Sequence, residues 1–235
     1  MSSPGASETL FDTIDRAAEC GLLYLSASDR PAVSDEITGS FDHQLSTDEL
    51  RAVRRKLDEA GVCLLTYRID RVPTDETACR QIVGFARRMG IETLIAPPPS
   101  GTLDAIEKLC DDHDIGLAID APQDRTALRA AARTLRDRSR RIGLHGDINS
   151  WIRAGIDPIR AVRRLRDRLI TIGIAGSEQR VENVNDKIGS ILEEVNRLGI
   201  APVMFGVECG RETTQARENI ASFNRKTLQL ADGGA

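Results

Sequence analysis

Three carboxylates close short aliphatic runs in this sequence. Asp120 ends LAID, Asp147 ends LHGD and Glu208 ends FGVE. His145 stands two residues before Asp147, so on an extended strand the two side chains point the same way. Oxygen donors with one imidazole suit Mn²⁺, Mg²⁺, Co²⁺ or Zn²⁺, which makes Asp120, His145, Asp147 and Glu208 the candidate metal ligands. Each has a plainer reading beside it. Acidic residues often follow strands because a loop begins there. His145, between Gly143 and Gly146, equally reads as a core histidine bonded to a backbone carbonyl. Tyr67 and Arg68 end the run CLLTYR, and Arg211 lies just past Glu208. These are candidates for binding substrate hydroxyls or a phosphate, whose geometry a guanidinium matches. Trp151 either stacks on a ligand or wedges a strand–helix corner.

These residues need elements to bring them together. Amphipathic helices end in glycine and an aliphatic run follows at once, at Cys20-Gly21-Leu22, Ala60-Gly61-Val62, Met89-Gly90-Ile91 and Leu198-Gly199-Ile200. Glycine supplies the left-handed residue that stops a helix, and the short junction is typical of α/β units. The pattern predicts strands at 22–26, 62–67, 92–96, 115–120, 142–147, 169–174 and 203–208. Ser46 with Glu49 forms a capping box, and Asp157-Pro158 reads as N-cap followed by the first helical residue. Regular alternation of strand and helix means a parallel sheet covered by helices. No glycine-rich phosphate loop follows any strand, so a closed (β/α) barrel of the TIM type is the better reading than a doubly wound sheet. In such a barrel the strand ends carry the active site. Seven strands are evident, and a helix over 7–20 stands where an eighth would come first. A missing first strand leaves unpaired edges on 22–26 and 203–208, and homodimerisation near that gap is expected.

Composition narrows the function classes. The chain has 235 residues, which suits one barrel domain spanning 1–235. Aromatics are only 3%, so the core should be aliphatic. A net charge of -4 gives no reason to expect a polyanion partner. Arg129, Arg133, Arg136 and Arg140 recur at helical spacing and read as a solvated, salt-bridged outer face, without the interleaved aromatics of a nucleic-acid site. No nucleic-acid partner is therefore expected. The five cysteines are scattered and never in a CxxC pair, which points to free thiols in a reducing compartment. No apolar run reaches membrane-spanning length and no leader is evident. The expectation is a cytoplasmic protein with no membrane partner.

The stretch from Ile142 to Gly176 resembles a segment of the sugar phosphate isomerase/epimerase (xylose isomerase-like) superfamily. The matching residues are Ile142, Gly143, Asp147, Trp151, Ala154, Gly155, Asp157, Pro158, Arg168 and Leu169. KIGSILEEVNRLGIAPVMFGVE resembles the last helix and final strand, and LSTDELRAVRRKLDEAGVCLLTYR an early helix and strand. The resemblance implies a divalent metal held by Glu, Asp, His and Glu on four strands, acting on a sugar or sugar phosphate. Carried over, the last Glu is Glu208 and the Asp is Asp147, while the first Glu falls on the shorter Asp120. The metal-binding His falls on Gly173, the Asp after it on Gly176, and a further family His on Ser150. The implied site is therefore partly dismantled, with His145 as the available replacement imidazole. The resemblance also casts Glu208 and Asp120 as the acid–base pair of an isomerase or epimerase. The alternative is a barrel that has lost catalysis and binds a carbohydrate or serves as an assembly subunit.

Overall fold

Helix starts follow from local chemistry. Thr9 caps α1 (Leu10–Glu19) with a reciprocal bond from its own backbone to Asp12, and Ser46 with Glu49 does the same for α2 (Thr47–Ala60). Asp75 caps α3 (Glu76–Met89), and Asp157 caps α7 (Pro158–Leu165), with Pro158 in its first turn. Gly61 and Gly90 end α2 and α3 at φ of 67° and 73°, where a Cβ would be strained. The computed structural model describes residues 8–101, 103–176, 184–200 and 203–207.

The chain divides into two units, Met1–Ile115 and Gly116–Ala235. The first holds α1, β1 (Tyr24–Ser28), α2, β2 (Cys63–Arg68), α3, β3 (Thr93–Ala96) and α4 (Asp104–His113). Its strands pair in parallel, β1 with β2 and β2 with β3. The second holds β4 (Gly116–Asp120), α5 (Arg125–Thr134), β5 (Ile142–Asp147), α6 (Ile148–Arg153), α7, β6 (Leu169–Gly176), α8 (Val184–Leu198) and β7 (Val203–Val207). Here β4, β5, β6 and β7 pair in sequence order, all parallel. Seven strands are therefore present among the described residues, as the glycine-terminated helices predict. The first lies two residues further along than the pattern placed it, because Leu22 still bonds back to the Ala17 carbonyl of α1 and the paired register with β2 begins at Tyr24. Leu23 and Tyr24 at its start are 63% and 61% exposed.

The core is aliphatic, with one aromatic knot. Phe41, Tyr67 and Phe85 meet edge to face, with ring centroids 5.1–5.6 Å apart. No described helix is long and apolar enough to cross a membrane.

The arginine-rich stretch differs from its sequence reading. Helix α5 stops at Thr134 with Leu135 as its cap, so Arg136 and Arg140 lie beyond it. Arg168 instead gathers this segment. Its guanidinium donates to the carbonyls of Arg136, Arg138 and Ser139 at 2.5–2.9 Å, fastening the loop before β5 to the start of β6. The charge that pins helices together is Glu194, whose side chain is only 8% exposed. Arg163 of α7 bonds it twice, at 2.9 and 3.0 Å, and Arg197 bonds it from the next turn of α8. These two guanidinium groups hold its carboxyl down at about 2.

Two glycines in β5 are required by packing. A Cβ on Gly146 would lie 2.6 Å from Trp151 Cη2, and one on Gly143 would lie 2.6 Å from the Arg168 carbonyl oxygen and 2.7 Å from Ile170 Cγ2. Gly146→Ala should therefore destabilise the protein by about 1–3 kcal/mol through overpacking. The fluorescence of Trp151, the sole tryptophan, reports the unfolding midpoint directly; an unchanged midpoint would contradict the packing. The Glu194 pair gives a pH signature. Its pKa is depressed in the folded state, so its contribution is fully present above the ordinary carboxylate range. It is lost as pH falls from about 4.5 towards 2. Urea midpoints across that range should fall more steeply in the wild-type protein than in Glu194→Gln.

Candidate functional site

The candidate residues lie at the carboxyl ends of β4, β5 and β6. Side chains alternate along a strand, and register partners in a parallel pair share a face. Asp120 is the register partner of His145, and His145 is the partner of Thr171. Two residues further on, Asp147 is the partner of Gly173. One face therefore carries Asp120, His145, Asp147, Thr171 and Gly173. Trp151 packs against Gly146 and so lies on the other face.

A bulge sets this alignment. Leu144 pairs with Leu169, but His145 pairs with Thr171, so Ile170 is the extra residue on β6. Ile170 covers Gly143, where a side chain would collide with it. Thr171 then falls beside His145, with its Oγ1 2.8 Å from the imidazole Nδ1. Thr171 is fully buried and His145 is 5% exposed. The other edge of the ring lies over Gly173, where a Cβ would stand 3.0 Å from Cε1 and 3.2 Å from Nε2. The carbonyl of His145 also accepts from the Ala121 backbone at 2.8 Å, locking the end of β4 to β5.

Asp147 points from the same face but also serves the next helix. Its Oδ1 accepts from the Ser150 backbone at 2.9 Å and its Oδ2 from the Ser150 hydroxyl at 2.8 Å, capping α6. Arg153 in turn donates to that hydroxyl at 2.8 Å.

The first unit uses the same device. Leu25 pairs with Leu64 but Ser26 pairs with Thr66, so Leu65 is the extra residue. The Thr66 hydroxyl donates to Ser26 Oγ at 2.7 Å. Leu-Leu-Thr in β2 and Leu-Ile-Thr in β6 are thus matching units, each bulged at the middle residue and each placing a buried threonine hydroxyl against the preceding strand. Sequence reasoning passed over both threonines. The shared triplet at the start of two strands was the available signal.

Alternation separates Tyr67 from Arg68. Arg68 shares the face of Ser26, Ser28 and Thr66 and is half-buried. Tyr67 turns the other way into the aromatic knot. It is fully buried, and its hydroxyl donates to the Phe41 carbonyl at 2.6 Å. Burial pushes that hydroxyl's pKa well up, so it stays protonated. Tyr67 is therefore a core residue and not a substrate contact. Trp151 is likewise fully buried, and its indole N–H has no hydrogen-bond partner among the described residues. It wedges the β5–α6 corner and offers no ring to a sugar. Glu208 and Arg211 lie outside the described residues. Asp29, one residue past β1, is an acid the sequence reading missed because it ended that strand early. Burial, and then the neighbouring Asp70 carboxylate, raise its pKa.

A divalent cation of the kind the resemblance implies needs several donors to converge. Among the described residues no three His, Cys, Asp or Glu side chains do so. Asp147 bonds Ser150 through both oxygens, and Gly173 offers no donor beside it. The described donors do not by themselves fit a cation.

No protein-family model matches the chain, and no curated protein does. Solved structures match it along nearly its whole length. An uncharacterized protein of Parabacteroides distasonis is 19% identical, with 92% of this chain and 93% of that one aligned at a TM-score of 0.74. A sugar phosphate isomerase/epimerase from the same organism is 11% identical over 94% and 88%, at 0.67. The 3-keto-D-glucoside 4-epimerase of E. coli is 14% identical over 95% and 97%, at 0.64. The chain thus has the barrel-type α/β fold of these proteins.

The placement of Tyr67 makes a clean test. Tyr67→Phe leaves the Phe41 carbonyl without its donor in the core, which should cost about 1–3 kcal/mol of stability. The same variant should bind ligand as the wild-type protein does. Chemical denaturation beside a ligand titration separates the two effects, and weakened binding at unchanged stability would return Tyr67 to the ligand.

Proposed function

We propose that this chain, built on the fold of the sugar phosphate isomerases and epimerases, binds a small sugar or sugar phosphate at its strand ends and moves a proton on the carbon beside the carbonyl. The observation that carries this reading is the pairing of Asp120 with His145 at the carboxyl ends of adjacent strands, on one face. A carboxylate beside an imidazole supplies the base and the acid that such chemistry needs. Asp120 takes the proton from the carbon, and the C–H electrons form the C=C bond of an enediol. The carbonyl oxygen gains a proton from His145. Delivery of a proton from Glu208 to the opposite face of the same carbon, with the enediol proton returning to His145 as the C=O re-forms, gives the epimer; protonation of the neighbouring carbon, with the adjacent hydroxyl giving up its proton to become the new carbonyl, gives the isomer. Glu208, cast by the family resemblance as an acid–base partner, and Arg211, a phosphate candidate, enter from the sequence alone.

A second reading has its own support. Gly173 stands where the resemblance puts a metal-binding histidine, and both oxygens of Asp147 bond Ser150 at the start of α6. A barrel so altered binds a carbohydrate without turning it over.

Proton NMR in D₂O distinguishes the two. With D-fructose or its 6-phosphate as probe, the first reading expects deuterium at the carbon next to the carbonyl. That rate should fall roughly 10²–10⁴-fold in Asp120→Asn, which keeps the shape and removes the base. Saturation transfer to the sugar without deuterium uptake would instead select the binding protein. Neither signal with any keto- or aldo-sugar would end both readings.

A further inference from the structure

We propose that Thr171 is a positioning residue for His145, and that Thr171 and Gly173 together form a seat that holds the imidazole on the Asp120 face with its Nε2 edge over Gly173. The inference deepens the acid–base reading above and takes its functional consequence from it; the seat itself rests on geometry alone.

Three features of β6 build the seat. The bulge at Ile170 brings Thr171, rather than an isoleucine, beside His145. The Thr171 hydroxyl then lies 2.8 Å from Nδ1, in a position with no exposure to solvent. Burying a hydroxyl there is unfavourable unless it is bonded, and valine would fill the same volume without that cost. The hydroxyl therefore has a specific task. It can accept from Nδ1–H or donate to a bare Nδ1, so it holds the ring in either tautomer. Gly173 supplies the room. Any side chain there would begin 3.0 Å from Cε1 and 3.2 Å from Nε2 and would push the ring away. Gly173 is itself half-buried, while the ring it faces is 5% exposed. Thr66, the matching threonine of β2, places its hydroxyl against Ser26 in the same way. The bulged triplet is thus a repeated means of presenting a hydroxyl, and in β6 it meets the residue able to carry a proton.

The chain has only three histidines, His43, His113 and His145, so ring ¹⁵N spectra of histidine-labelled protein at one fixed pH resolve the seat directly. Thr171→Val should move the His145 ring resonances and leave those of His43 and His113 in place, while Thr171→Ser should restore the wild-type pattern. In the deuterium assay Thr171→Val should slow exchange by about 10–100-fold, the size of effect seen when a hydrogen-bond partner that orients a metal-bound histidine is lost. Thr171→Ser should recover most of it. A wild-type His145 spectrum in Thr171→Val would overturn the proposal. If that variant does not fold, Gly173→Ala carries the test, and a ring spectrum unmoved by the added methyl overturns it equally. A displaced ring in a protein whose wild type shows no proton exchange keeps the seat and rejects the acid–base reading instead.

Discussion

Side chains on a β-strand point alternately to two faces, and the meeting of His145 with Thr171 depends on that two-residue period being interrupted in the right place. An unbroken register would set Ile170 beside His145. The bulge at Ile170 shifts the pairing by one, turning two consecutive residues, Ile170 and Thr171, to the same face. Ile170 then fills the space that Gly143 leaves, and Thr171 reaches the imidazole. Small residues and the bulge depend on each other here. Without Gly143 the isoleucine has nowhere to go, and without the isoleucine the threonine misses the histidine.

The same period accounts for what the strand ends do not contain. Tyr67 and Arg68 are neighbours in sequence and cannot both face a ligand. The larger, more apolar ring went to the core, where two phenylalanines pack on it and a carbonyl accepts its hydrogen bond. Trp151 followed the same logic, because Gly146 opens a slot for it on the helix-covered face. In a chain with so few aromatics, core packing outweighs ligand stacking for each of these rings.

In the second unit a residue on the candidate face also does structural work. Asp147 lies on the site face and caps α6, and its carboxylate is oriented by Ser150 and, through it, by Arg153. Arg168 fastens the loop ahead of β5, and the Glu194 cluster locks α7 to α8. The strand ends are thus held from behind by ionic and backbone bonds, which suits a site whose side chains must keep a fixed geometry.

Much of this was legible in the residues. Capping boxes, Asp157-Pro158 and the glycines after α2 and α3 mark helix ends through local backbone chemistry, so the order of strands and helices could be read directly. The likeness to sugar isomerase and epimerase structures follows the same pattern along the chain. Asp120, His145 and Asp147 sharing one face also follows from the strand period, given where the strands end. Tertiary structure alone decided the rest. A bulge is a property of two paired strands, and neither sequence shows it by itself. Whether Tyr67 or Arg68 faces inward depends on which face the helices cover. The fate of Trp151 depended on a slot made by a glycine five residues away. Thr171 became a partner of His145 only when β6 was laid against β5, because a hydrogen bond across 26 residues depends on register, and register is set by packing over the whole sheet.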